Sequence, residues 1–228
     1  LLPLPEDRMP THCLADSERL YGRWQRMLEV LAQQLAMPVA MINLVDGSDL
    51  VFFGVRDEQQ RFPRNGRLEL AVNSYCANVI RRGEHLLVGD VRRLPAIGDN
   101  NPTAALGLVH YYGEPIRDAE GTVVGTVCVM DERPRETSSG VRMLVSLMRD
   151  AIEDDLRACT EVERFEARHA ELKTSARQLL DAMARSGLGE ARALEALGFS
   201  ADDLDNHQRL AQLAQLAQSG DETAADAR

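Results

Sequence analysis

The strongest constraint on the fold lies between Leu108 and Asp131. Two runs rich in branched residues, LVHYYGEPIRD and TVVGTVCVMD, are separated by nothing but the turn AEG. A connection that short cannot cross over a sheet, so the two runs must pair as an antiparallel hairpin. The acidic, proline-bearing corner DERPR then stops the second strand. Upstream, VAMINLVD and LVFFGV flank DGSD in the same manner and predict a second hairpin.

Helical periodicity brackets these hairpins. From Ser17, apolar residues recur every three or four positions (Leu20, Trp24, Met27 or Leu28, Leu31, Leu35) until Pro38 ends the pattern. LAVNSYCANVIRRGE predicts a short helix ending at Gly83, and HLLVGDV a buried strand. The polar segment from Asp57 to Glu69 is ambiguous, and RRLPAIGDNNPTAALG predicts a loop with one helical turn. After Pro134 the character changes: Val141 to Arg185 contains no proline or glycine. Within that stretch Val162, Phe165, His169, Leu172, Ala176, Leu179 and Met183 alternate spacings of three and four, the seam of a coiled coil. SGLG at 186–189 breaks it. The expected organisation is an irregular arm over 1–16, an α+β domain over 17–136, a long helix over 137–186, and short helices with a disordered tail over 187–228.

At 228 residues the chain suits one domain with appendages. Its formal charge of −10 argues against nucleic acid, whose phosphates need a basic face. No run approaches the ~18 apolar residues of a membrane helix. LLPLPEDRMP lacks the basic-then-apolar order of a secretory signal. Cys13, Cys76, Cys128 and Cys159 are scattered, with no zinc-like spacing, and predict reduced thiols in a cytoplasmic protein.

The order and spacing of three motifs resemble the GAF domain, a small-molecule-sensing module of bacterial signalling proteins. They are MPVAMINLVD with the VFFG strand, NSYCANVI with LLVGDV, and LVHYYGEPIRDAEGTVVGTVCVMDERPR. The likeness covers about residues 17–136. It implies an α/β (α+β) fold with a central, mostly antiparallel sheet, helices on one face and a ligand cavity on the other, followed by a long C-terminal signalling helix. It also implies a sensory, non-enzymatic function, with an unidentified small molecule as ligand and no obligatory cofactor. The expected partners are a second copy, through the seam Val162, Phe165, Leu172, Leu179 and Met183, and a signalling protein on the C-terminal helices. Neither nucleic acid nor membrane is expected. Residues placed at the cavity by the resemblance are Phe53, Tyr75, Asn78, Tyr111 and Cys128, under a cap formed by Leu94–Gly107.

Other chemistries fit the residues less well. Some members of the family reduce free methionine sulfoxide with cysteines, which requires an exposed low-pKa thiol and a second thiol within reach. Cys76 and Cys128 are read instead as small apolar packing residues. An interaction adaptor without a ligand is a further alternative. The cyclic-nucleotide signature of the family cannot be placed, and His110 with Cys128 does not match a bilin site. His169 in RHAELKTSA lacks the acidic neighbour and the proline of a phosphoacceptor box. Asp99, Asp131 and Glu132 are read as strand-closing and loop residues rather than metal ligands. The pairs Arg81/Arg82 and Arg92/Arg93 are read as solvated charges. Alternation sends Tyr111 and Tyr112 to opposite faces of their strand, one toward the cavity.

Overall fold

A computed structural model describes residues 17–185, apart from the side chains of 17, 176 and 179–185. The expected arm over 1–16, the SGLG break, and the helices and tail over 187–228 lie outside the described residues, as do Cys13 and the side chains of Leu179 and Met183. The elements in chain order are α1 (Ser17–Leu35), β1 (Val39–Asp46), β2 (Asp49–Asp57), β3 (Arg67–Glu69), α2 (Tyr75–Arg82) and β4 (Leu86–Val88). A 3-10 turn (Val91–Arg93), α3 (Pro95–Gly98), α4 (Pro102–Ala105), β5 (His110–Arg117), β6 (Val123–Asp131) and α5 (Ser139–Arg185) follow. The chain divides after Arg164 into two compact units.

The six strands form one sheet in the order β3-β2-β1-β6-β5-β4. All five pairings are antiparallel. The two expected hairpins are β1–β2 and β5–β6, and β1 joins them by pairing with β6. β3 was not legible in the polar stretch after Asp57; only three residues long, it pairs Arg67–Glu69 with Asp49–Val51.

One face of the sheet packs against α1 and the first half of α5. Trp24 and Leu28 of α1 meet Ile42, Val127 and Val129 of the strands, together with Val145, Met148, Ile152 and Leu156 of α5. Each such buried apolar side chain contributes about 1.5–3 kcal/mol. The domain core therefore continues past residue 136 into the long helix, because α5 turns an apolar stripe onto the sheet from Val145 to Leu156. Asp155 of α5 accepts a 2.8 Å hydrogen bond from Trp24 Nε1 and pairs with Arg23, which fixes α5 to α1. Buried Glu114 of β5 ties the sheet to α5, accepting from Tyr112 Oη at 2.7 Å and Ser146 Oγ at 2.6 Å, and pairing with Arg149.

The opposite face carries α2 and the connection from Asp90 to Gly107. Val39, Met41, Tyr75, Val79, Val88, Leu108, Tyr111, Cys128 and Met130 are buried there. α2 is closed at both ends by the residues its sequence advertises. Ser74 accepts from Ala77 N at 3.1 Å, and Gly83 takes the left-handed conformation at φ 66°.

His110, at the start of β5, is fully buried opposite Asp131. Burial holds its imidazole below the ordinary 6.5, against the pull of the Asp131 carboxylate and with the help of Arg135. The unfolded chain therefore takes up the proton first, so this residue's contribution to stability is complete above pH 6.5 and declines as the pH falls toward the folded value. Thermal melts should show the parent losing stability as the pH drops below that point, while His110→Phe, which keeps the ring and removes the titration, stays level until the carboxylates protonate. Equal slopes for the two proteins would refute the assignment. At the other anchor, Glu114→Ala takes the acceptor from two hydroxyls and leaves Arg149 with Asp150 alone, and should cost about 2–4 kcal/mol in a denaturant titration.

Candidate functional site

The sheet face beneath α2 concentrates polar and sulfur-bearing side chains inside an apolar cluster. Residues of one parity on three neighbouring strands point there: Met41 and Asn43 of β1, Thr126, Cys128 and Met130 of β6, and Tyr111 of β5. The first turn of α2 lays Tyr75 and Cys76 over them. The Tyr75 hydroxyl donates to Leu108 O at 2.7 Å, and its ring stacks on Tyr111 at 4.8 Å between centroids. Cys128 lies opposite Gly113 in the register, and a Cβ at Gly113 would fall on the Tyr111 hydroxyl and crowd Cys128 Cβ at 2.8 Å. Only glycine leaves Tyr111 free to lie along its strand and reach the sulfurs.

Cys76 and Cys128, 52 residues apart in the chain, bring their sulfurs to 3.8 Å. The Tyr111 hydroxyl reaches Cys76 Sγ at 3.5 Å, and the Asn43 amide donates to it at 3.3 Å while also reaching Thr126 Oγ1 at 3.2 Å. Hydrogen bonding from Cys128, followed by Tyr111, Thr126 and Asn43, outweighs burial and lowers the Cys76 thiol to about 7. Cys128 moves the opposite way, raised by its bond to Cys76 and by burial. Burial likewise keeps the hydroxyls of Tyr75 and Tyr111 protonated. The pair is thus one ionisable thiol held by a protonated neighbour, the arrangement from which thiolate chemistry starts.

Beside Cys76 lies a void of about 20 Å³, bounded by Asn43, Phe52, Phe62, Thr103 and Met130 among others. Phe52 and Phe62 meet edge to face at 5.6 Å along its wall. That volume holds about one water molecule.

Three of the expected cavity residues, Tyr75, Tyr111 and Cys128, meet in this cluster. Tyr112, as alternation requires, faces α1 and α5. Phe53 does not reach the site. It packs on the α1 face against Trp24 at 5.3 Å and Tyr21 at 5.9 Å, and Phe52 takes the inner place. The cause is a bulge: the β1–β2 register passes from Ile42↔Gly54 to Asn43↔Phe52, so Phe53 is the extra residue and parity inverts across it. Asn78 also stands apart, spent on Asn73 Oδ1 and Ser74 O, each at 2.8 Å. Of the expected cap, Thr103 bounds the void and Ile97 packs into the cluster.

Cys76 and Cys128 pack within the apolar cluster, and each is in addition the other's contact. Asn43 was missed, although an amide within the apolar run VAMINLVD was the available signal. Among the described residues no group of three or more His, Cys, Asp or Glu side chains is placed to hold a metal ion. No helix among them is long and apolar enough to cross a membrane.

Solved structures share this fold at low identity. The GAF domain of phosphoenolpyruvate-protein phosphotransferase from Acinetobacter superposes with a TM-score of 0.52 at 14% identity, over 68% of this chain and 99% of that one. Free methionine-R-sulfoxide reductase from Neisseria meningitidis, solved with its substrate, gives 0.52 at 14%, over 71% and 99%. The GAF domain region of a membrane protein from Geobacter sulfurreducens gives 0.52 at 14%, over 67% and 99%. At these identities the likeness defines the fold alone, which GAF domains of other proteins and a reductase share. No curated protein matches the sequence. The GAF domain family model, however, matches residues 22–152, more than half of the chain, which takes in all six strands, α2, most of α1 and the start of α5. The chain belongs to the GAF domain family.

Proposed function

We propose that the chain is a non-enzymatic regulatory module of signal transduction, which takes its input at the Cys76–Tyr111 face and passes it to α5. One observation carries this reading: Tyr111 and Tyr112 are consecutive residues of β5, one touching the Cys76 sulfur and the other bonded to the Glu114 carboxylate that holds Ser146 and Arg149 of α5. A displacement of the strand at the first is transmitted to the second. An input shifts the helix only by its differential affinity for the two packings.

A small-molecule ligand at Tyr75, Tyr111 and Cys128 fits the family, but the present void holds about one water. A larger ligand must displace the Phe52–Phe62 wall. The size of the void favours, as second reading, an adaptor whose pocket is filled by its own side chains. The thiol pair favours a methionine-sulfoxide reductase, which the same void opposes, because small-molecule sites are typically about 300–1,000 Å³.

Output through a homodimer is supported by the seam on α5. Val162, Phe165 and Leu172 are 57%, 72% and 63% exposed, apolar side chains with burial still to gain. A signalling protein on the same helix is the further partner, and the acidic charge disfavours nucleic acid. Free thiols at Cys76, Cys128 and Cys159 suit the cytoplasm.

Three measurements test these claims. Light scattering at micromolar concentration should give a dimer for the parent and a monomer for Phe165→Asp combined with Leu172→Asp, each change forfeiting about 1.5–3 kcal/mol of burial. A monomeric parent would remove the homodimer. Reduction of free methionine sulfoxide should run no faster than without protein, and a rate lost in Cys76→Ser would make the chain an enzyme. In hydrogen exchange, Tyr111→Phe, which removes only the hydroxyl at the sulfurs, should alter protection in α5 around Val145–Leu156. A change confined to α2 would break the proposed relay.

A further inference from the structure

We propose that Cys76 and Cys128 form a peroxide-responsive dithiol site, closing to a reversible disulfide between α2 and β6. Nothing in the regulatory reading requires this chemistry. Bond formation stands independently of that reading, whereas its use as a signal rests on it.

The geometry divides the labour between the two thiols. Cys76 is half-buried and borders the void, while Cys128 is fully buried in mid-strand and does not reach it. An oxidant entering from solvent therefore meets Cys76 first. The void of about 20 Å³ beside it has room for a molecule close to water in size, such as hydrogen peroxide. Asn43 and Tyr111 direct their donors at the Cys76 sulfur, favouring its thiolate, the nucleophilic form. Cys128 waits at 3.8 Å, and the sulfurs must close to about 2.05 Å for the bond. The first turn of α2 supplies that movement.

The reaction balances with hydrogen peroxide as oxidant. The Cys76 thiolate attacks one peroxide oxygen, the O–O bond breaks, and the departing hydroxide takes up a proton to leave as water. Cys76 is then a sulfenic acid. The Cys128 sulfur attacks it, the S–O bond breaks, and the second oxygen departs as water with the Cys128 proton. In total the two thiols lose two electrons and two protons, and one peroxide becomes two waters. A small dithiol returns the electrons by exchange.

Closure has a structural consequence. It withdraws the acceptor that Tyr111 and Asn43 share, and it fastens α2 to β6. The neighbours of Cys128 in that strand, Val127 and Val129, face α1 and α5.

The test uses the full chain with Cys13→Ser and Cys159→Ser, leaving only the pair. After exposure to a few equivalents of hydrogen peroxide at neutral pH, the remaining thiols are alkylated and the peptides sequenced by mass spectrometry. Expected is one cross-linked peptide joining Cys76 to Cys128 within a single chain, with alkylation of both thiols lost together and fully restored by dithiothreitol. Adding Cys128→Ser should leave Cys76 as a sulfenic acid trapped by dimedone, and adding Cys76→Ser should leave Cys128 unoxidised. The proposal is overturned if both thiols stay alkylatable, if Cys76 oxidises without the cross-link, or if Cys128 reacts first. Hydrogen exchange of the oxidised protein then separates the two claims: a disulfide with unchanged protection in α5 keeps the site and removes the relay.

Discussion

The structure depends on a sheet whose central strands are buried on both faces. Every residue of β6 from Val124 to Asp131 is inaccessible, as is β5 from His110 to Ile116. A strand in that position has no solvent side on which to leave a polar group, and successive side chains must enter two different cores. Each polar residue therefore needs partners on its own face. Beneath α2, the Asn43 amide nitrogen joins Cys76 and Thr126 and the Tyr111 hydroxyl joins Cys76, while Asn43 Oδ1 has no partner among the described residues. Beneath α5, Tyr112, Glu114, Ser146 and Arg149 satisfy one another. The two polar islands lie back to back across one thickness of backbone, and the candidate site and the helix that leaves the domain are joined by that fact.

The parts legible in the sequence are those fixed by local chemistry. The hairpins followed from short turns between branched runs, and α2 from a capping serine and a left-handed glycine. Alternation put Tyr111 and Tyr112 on the correct opposite faces. What failed was parity at Phe53, since a bulge depends on how β1 and β2 settle against their neighbours and leaves no residue signature of its own. β3 was hidden for a related reason: three residues of ordinary polarity become a strand only because β2 offers them an edge. Val145, Met148, Ile152 and Leu156 keep the same three-and-four beat as the seam beyond them. Period alone identifies a helix without naming what it packs against, so the domain boundary drawn at 136 stopped short of the core. The thiol pair was out of reach altogether, because contact between residues 52 apart is a property of the assembled sheet.

The acid strengths of the two thiols follow from that assembly. Two sulfurs in contact cannot both carry charge, since the second ionisation must be made against the first; the pair loses one proton readily and holds the other. Which sulfur keeps the charge is decided by donors. The Asn43 amide stands closer to Cys76, at 3.3 Å against 4.0 Å to Cys128, and the Tyr111 hydroxyl reaches Cys76 at 3.5 Å, which favours charge at the end nearer solvent. Cys128 is left neutral in the deeper position, where an isolated thiolate would be costliest.

This division rests on a residue with no side chain. Gly113 stands opposite Cys128, and its missing Cβ is the space in which the Tyr111 hydroxyl lies. With any larger residue there, Tyr111 could not remain along the strand, and Cys76 would lose a donor that favours its thiolate. The same displacement would move the ring stacked on Tyr75 and, through the next residue of β5, the hydroxyl that Tyr112 gives to Glu114. A glycine in a fully buried strand weakens the strand by itself. Here it lets one tyrosine touch both the sulfur chemistry of one face and, through its neighbour, the helix anchor of the other.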